Sequence, residues 1–138
     1  MPLLLTHLHK AQESLQSALW LYQNQHLEEY ELHLALRDSV VKRFEITYEL
    51  CWKLMQRWLD ENVSLETAQS TYSRKELFRL AARRHLIDDP LPWFTYHQAR
   101  NAAAHTYKEA NAELAVNAAK QLVVDAKRLL ERLEEVND

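Results

Sequence analysis

Apolar residues recur along this chain at three- and four-residue steps, the period of an amphipathic helix. Leu8, Ala11, Leu15, Ala18, Leu19 and Tyr22 make one apolar face and predict a first helix from about Thr6, its N-cap, to Gln25. Residues 26–34 read either as loop or as early turns of the next helix. Val41, Glu45, Tyr48, Trp52, Met55 and Leu59 then follow a 4-3-4-3-4 step, widened by Phe44, Cys51 and Trp58. They predict a long second helix over about 36–62. Residues 63–72 carry Ser64, Thr67, Ser70 and Thr71 and read as a loop. Ser73-Arg74-Lys75-Glu76 has capping-box spacing and opens a short helix to about His85, ended by Asp88-Asp89-Pro90. Pro92 suits the first turn of a fourth helix running to about Ala103. A last helix over about 111–135 carries Leu114, Ala118, Leu122, Val123, Ala126, Leu129, Leu130 and Leu133. Short connections between helices favour an up-and-down antiparallel all-α bundle of four to five helices. With 138 residues and no Gly/Ser/Pro linker, a single domain over residues 1–138 is expected.

Composition removes several function classes. Glycine is absent, which excludes the Gly-rich phosphate cradles of Rossmann and P-loop proteins. One cysteine, Cys51, allows no intrachain disulfide and fits a reducing, cytoplasmic setting. No apolar run reaches the length of a membrane span, and residues 1–5 are too short for a signal-peptide core. The net charge of −3 gives no global attraction to nucleic acid, so RNA contact needs a local patch. Arg74, Lys75, Arg79, Arg83 and Arg84 form one. That cluster reads as a phosphate-binding face, a dock for an acidic partner, or a solvated surface. Seven histidines show neither His-x3-His spacing nor a partner cysteine pair, so no metal site is expected.

Two constellations remain. In Arg100-Asn101-Ala102-Ala103-Ala104-His105-Thr106-Tyr107, a planar cation suited to phosphate precedes a group that titrates near neutrality. On one continuous helix Arg100 and His105 stand about 140° apart, so they converge only if the helix breaks in or after the alanine run. If the helix continues, Asn101 and His105 are spaced to hydrogen-bond. The plain alternative is a snorkelling arginine and a solvated histidine at a helix end. On the second helix, Asp38–Lys42 and Glu49–Lys53 read as exposed ion pairs. Glu45 lies within the apolar stripe, where an unpaired carboxylate is costly, and calls for Arg43, Arg74, Arg100 or a partner chain.

Together, Arg37-Asp38, Arg43-Phe44-Glu45, Tyr48-Glu49, Trp52-Lys53 and Arg100-Asn101-x3-His105-x-Tyr107 resemble the nucleotidyltransferase substrate-binding proteins, a branch of the HEPN (higher eukaryotes and prokaryotes nucleotide-binding) superfamily. The resemblance runs from about residue 3 to 135. It implies a HEPN bundle, usually a homodimer, partnered by a minimal nucleotidyltransferase in a toxin–antitoxin pair. It further implies a metal-independent ribonuclease acting on RNA, with no cofactor. Arg100 and His105 match its catalytic pair, Asn101 and Glu45 support them, and Tyr107 matches the tyrosine to which the partner joins AMP. The alternative within the same family is a non-catalytic subunit that presents nucleotide or substrate to the nucleotidyltransferase.

Overall fold

The computed structural model describes residues 2–25, 29–63 and 72–137. Five α-helices account for most of them: α1 Thr6–Asn24, α2 Tyr30–Asn62, α3 Arg74–Arg83, α4 Leu91–Ala102 and α5 Glu109–Val136, with a 3-10 turn at Ala103–His105 between the last two. The long helices run up and down. α1, α2 and α5 pack mutually, α4 lies against α5 and α2, and α3 sits on α2 and α4.

The helices follow the apolar stripes, with four corrections. α2 begins at Tyr30 rather than 36, so residues 30–34 are helical and the helix is 33 residues long, about 50 Å. Thr6 is the first helical residue rather than the cap. Leu5 precedes it and its carbonyl accepts the first helical bond, from His9 N at 3.0 Å, but its hydrocarbon side chain can make no cap bond. α5 starts two residues early, and small side chains make its first inward turns: Ala112, Ala115 and Val116 are buried while Leu114 is exposed. α3 stops before the proline. His85 takes φ 63° there, Leu86 N bonds Ala81 O and His85 N bonds Ala82 O, a Schellman ending in which histidine holds the usual glycine position. The Ser73 cap is present, its Oγ accepting from Glu76 N at 3.1 Å. Most of the expected 63–72 loop, and residues 26–28, fall outside the described residues.

The core is a continuous cluster holding Leu8, Leu15, Phe44, Tyr48, Met55, Phe78, Trp93, Tyr96 and Leu122. Each fully buried aliphatic side chain there is worth roughly 1.5–3 kcal/mol of transfer free energy. Cys51 is among them, fully buried, and burial pushes its thiol far above the ordinary range, so it behaves as a small hydrophobe. Polar bonds fix how the helices sit. Gln12 Nε2 donates to Val123 O at 3.1 Å, Thr47 Oγ1 to Ala11 O at 3.2 Å, and Arg43 Nη1 to Ser14 O at 2.9 Å. Arg37, nearly buried, donates from Nη1 to Glu109 Oε1 at 2.7 Å, and that bond raises the arginine pKa. It ties the first turn of α5 to the first half of α2, immediately beyond the α4–α5 connector.

Candidate functional site

The site builds from the C-terminal half of α4. Arg100 lies in its last turn, where a cation also meets the negative end of the helix dipole. Its side chain reaches α2 and donates from Nε to Glu49 Oε1 at 2.9 Å. The other carboxylate oxygen, Oε2, accepts from Trp52 Nε1 at 3.1 Å, and Lys53 Nζ stands 4.0 Å away. Glu49 is therefore held on both oxygens. The Arg100 side chain keeps 37% exposure, and among the described residues its two terminal nitrogens make no hydrogen bond, which leaves them to an anion.

The partner of Arg100 is thus Glu49, not Glu45. Glu45 is half-buried beside an open groove of about 620 Å³ between α1 and α2, with Lys10, Lys42, Ile46, Glu49 and Arg100 on the same walls. Among the described residues Glu45 makes no ion pair, and Asp38 stands 4.0 Å from Arg37 rather than pairing with Lys42. The stripe drew Glu45 towards the core, but the α1–α2 seam opens there and solvates it. α4 crosses α2 nearer Tyr48 and Glu49, which is why Arg100 meets the later carboxylate.

The helix breaks where the alanine run allowed. α4 ends at Ala102, the chain tightens into the 3-10 turn, and α5 begins at Glu109. His105 closes that turn. Its carbonyl accepts from Lys108 N at 3.1 Å and from Asn111 Nδ2 at 3.0 Å, which fastens the connector to the start of α5. His105 Nδ1 lies 3.5 Å from Tyr107 Oη, the rings edge to face with centroids 5.8 Å apart. Tyr107 is 79% exposed. His105 and Tyr107 are brought together on this bend, while Arg100 faces α2. Among the described residues no hydrogen bond joins Arg100 to His105. Nor does Asn101 reach His105, because the break removes the i, i+4 geometry. Its Nδ2 lies 3.5 Å from His97 Nε2 instead, at the outer limit of a hydrogen bond.

His97 is the residue that pattern reading missed. Its Nδ1 is 2.8 Å from Tyr48 Oη, and desolvation, reinforced by Arg74 and Arg100, lowers its pKa. Burial raises the Tyr48 phenol above its ordinary value, so both groups are neutral at pH 7. Arg74, the first residue of α3, lies flat on Trp52 with its guanidinium carbon 3.2 Å from the ring centroid. The one available signal was spacing: His97 precedes Arg100 and Asn101 by three and four residues, one turn of the same helix. The Trp52 ring and Tyr48 hydroxyl are spent inside the bundle, as is Trp58, which packs on the core. Among the described residues, no three His, Cys, Asp or Glu side chains gather as metal ligands. No helix among the described residues is long and apolar enough to cross a membrane.

A helical bundle with an Arg-x4-His-x-Tyr turn after its fourth helix, braced by a carboxylate from the second, defines the class. Residues 3–135 match the family described as nucleotidyltransferase substrate binding protein like, and the chain belongs to that family. It is 31% identical over 99 residues to the probable ribonuclease HepT of Haemophilus influenzae, covering 72% of this chain and 68% of that one. The structure of HI0074 from Haemophilus influenzae, described as the fold of a substrate binding domain of a nucleotidyltransferase, superposes with a TM-score of 0.86 at 27% identity. That match covers 95% of this chain and 99% of HI0074. A protein of Thermus thermophilus with a solved crystal structure shares the fold, with a TM-score of 0.72 at 23% identity over 91% of this chain and 98% of that one.

Proposed function

We propose that this protein is the HEPN toxin of a toxin–antitoxin pair: a metal-independent, cytoplasmic ribonuclease, one domain over residues 1–138, silenced when a minimal nucleotidyltransferase joins AMP to Tyr107. The observation that carries this reading is the contact of Tyr107 Oη with His105 Nδ1 at 3.5 Å on an exposed bend. A modifiable hydroxyl and a proton carrier sit there side by side. The 31% identity to a probable ribonuclease HepT supports it, as does the nucleotidyltransferase named in the family description.

In this reading the 2′-hydroxyl of RNA attacks the adjacent phosphorus and the 5′-oxygen leaves, giving a cyclic phosphate. His105 moves the proton, as base or as acid. The free nitrogens of Arg100 hold the charge that builds on the non-bridging oxygens, a role an arginine fork fills without a metal. One chain supplies a single His105, and the reaction needs both a base and an acid. A twofold homodimer provides the second set. Exposed Ile46, beside the groove that Arg100 lines, is an apolar contact on that side for the second copy.

The test is cleavage of RNA by the purified protein, with and without EDTA, beside His105→Ala. The expected result is activity that survives EDTA and falls about 10²–10⁴-fold in the variant, the usual range for general acid–base catalysis. Full activity in His105→Ala sinks the assignment. A second reading is the non-catalytic subunit that presents nucleotide or substrate to the nucleotidyltransferase. The Arg100–Glu49 ion pair favours it, because a paired cation is less available for catalysis. Wild-type protein without cleavage, yet binding the nucleotidyltransferase, selects that reading.

A further inference from the structure

α3 carries a feature that the Arg100/His105 site does not use. Lys75, Arg79 and Arg83 follow at four-residue steps and so leave one face of the helix. All three are exposed, as is Arg84 at the helix end, and none of the four makes an ion pair among the described residues. Residues 74–84 hold five cations and one acid, Glu76, in a chain whose net charge is −3. Like charges one turn apart destabilise the helix that bears them. Only Arg83, in the last turn, gains from the helix dipole, so the repulsion along the rest of the ridge is not offset within α3.

An aromatic ring lies at the head of the ridge. Phe94 of α4 is half-buried, with one side against Phe78. Lys75 Nζ stands 5.9 Å and the Arg79 guanidinium carbon 5.6 Å from its centroid. The ridge is continuous with the site described above. Arg74 opens α3 and stacks on Trp52, whose indole holds Glu49, and Phe94 shares α4 with His97 and Arg100. From Lys75 the ridge runs about 12 Å to Arg83.

We propose that Lys75, Arg79 and Arg83, with Phe94 at their head, form a second contact for single-stranded RNA extending away from the cleaved bond. The three cations take backbone phosphates and Phe94 stacks a base. This rests on the ribonuclease reading and names the length of substrate that the site prefers. RNA fits this surface better than an acidic protein does, because a ring beside a row of cations suits bases and phosphates together. Carboxylate side chains offer no flat face to use the ring. In a protein of net negative charge, such a local ridge is also what holds a polyanion.

The experiment compares wild type with the Lys75→Gln/Arg79→Gln/Arg83→Gln triple variant, checked for helicity by circular dichroism. Fluorescence anisotropy with a 2′-O-methyl oligouridine of about 20 nucleotides reads binding across a salt series. Three lost phosphate contacts should weaken binding on the order of 100-fold at 0.1 M salt and reduce the log–log salt slope by about 2. Phe94→Leu should weaken binding about tenfold and leave the slope unchanged. The triple variant should cleave a dinucleotide, too short to reach α3, at the wild-type rate, and the long RNA more slowly. A triple variant that binds the oligouridine like wild type, with the same slope, overturns the proposal. Unchanged RNA binding with lost affinity for the nucleotidyltransferase also overturns it, and assigns the ridge to protein docking. Wild type that binds the oligouridine through the ridge but cleaves no RNA removes the ribonuclease reading and keeps the RNA contact.

Discussion

Arg100 and Glu49, fifty-one residues apart in the chain, are joined by a 2.9 Å hydrogen bond that fixes the last turn of α4 against the middle of α2. Glu49 is itself steadied by Trp52, which carries Arg74 on its face. Arg100 is therefore oriented through three residues from two other helices.

Replacing Arg100 with Lys keeps the charge and loses the fork. RNA cleavage should fall about 10²-fold with the fold intact, as when one donor to a developing oxyanion is removed. Glu49→Gln keeps an acceptor and removes its charge. Turnover should fall about tenfold, because the orienting bond loses its charge assistance, while RNA binds more tightly to the less neutralised arginine. Steady-state kinetics separating kcat from KM read both effects. Equal loss in kcat/KM with unchanged kcat in Glu49→Gln contradicts a positioning role.

Tyr107→Phe tests silencing. The variant should remain as toxic as wild type and gain no mass when co-expressed with the partner nucleotidyltransferase, whereas wild type should gain one or more AMP groups by intact-mass spectrometry. AMP on the bend would place a phosphodiester beside His105 and a purine over the approach, so it should block activity without unfolding the chain. A Tyr107→Phe protein neutralised as readily as wild type, with no added mass in either, means that inhibition is simple binding.

His97 sets a pH dependence of stability. Its folded pKa is depressed, so below the ordinary histidine value of about 6.5 the unfolded chain takes the proton before the folded one. Stability is then full above that value and declines as pH falls through the folded pKa. Denaturant melts between pH 7.5 and about 5 should show this decline. His97→Gln, which removes the titrating group, should flatten it, even if the variant starts from lower stability.

His85 holds the left-handed residue that ends α3, a conformation costing a non-glycine residue roughly 1–2 kcal/mol. His85→Gly should stabilise the protein by about 0.5–1 kcal/mol, since glycine adopts φ > 0 freely but loses more chain entropy on folding. Ser73→Ala at the other end should destabilise by about 1 kcal/mol. Chemical denaturation midpoints measure both.

Much of the fold was legible because helices announce themselves by period. The stripes on α2 and α5, the Ser73 cap and the break after the alanine run all follow from local rules. What escaped depends on how helices cross. Glu45 and Glu49 lie one turn apart, and only the packing of α4 on α2 decides which of them meets Arg100. His97 carried no motif of its own, because its partner Tyr48 is forty-nine residues away. Leu114 is placed in the core by its four-residue spacing to Ala118, although the buried face at the start of α5 is Ala112, Ala115 and Val116.

The bend that bears His105 and Tyr107 joins two packed helices, and Ala103 at its start is the part that enters the core. Its backbone is fastened by Asn111 and Lys108, and the Arg37–Glu109 bond anchors the next turn, so the two exposed side chains carry almost none of the stability. Chemistry and architecture are thereby uncoupled in inheritance. A lineage can lose the histidine, exchange the tyrosine or acquire a new group on this bend while the bundle persists unchanged. Proteins that superpose closely on this one can accordingly keep the bundle while differing in the residues that this short connector carries.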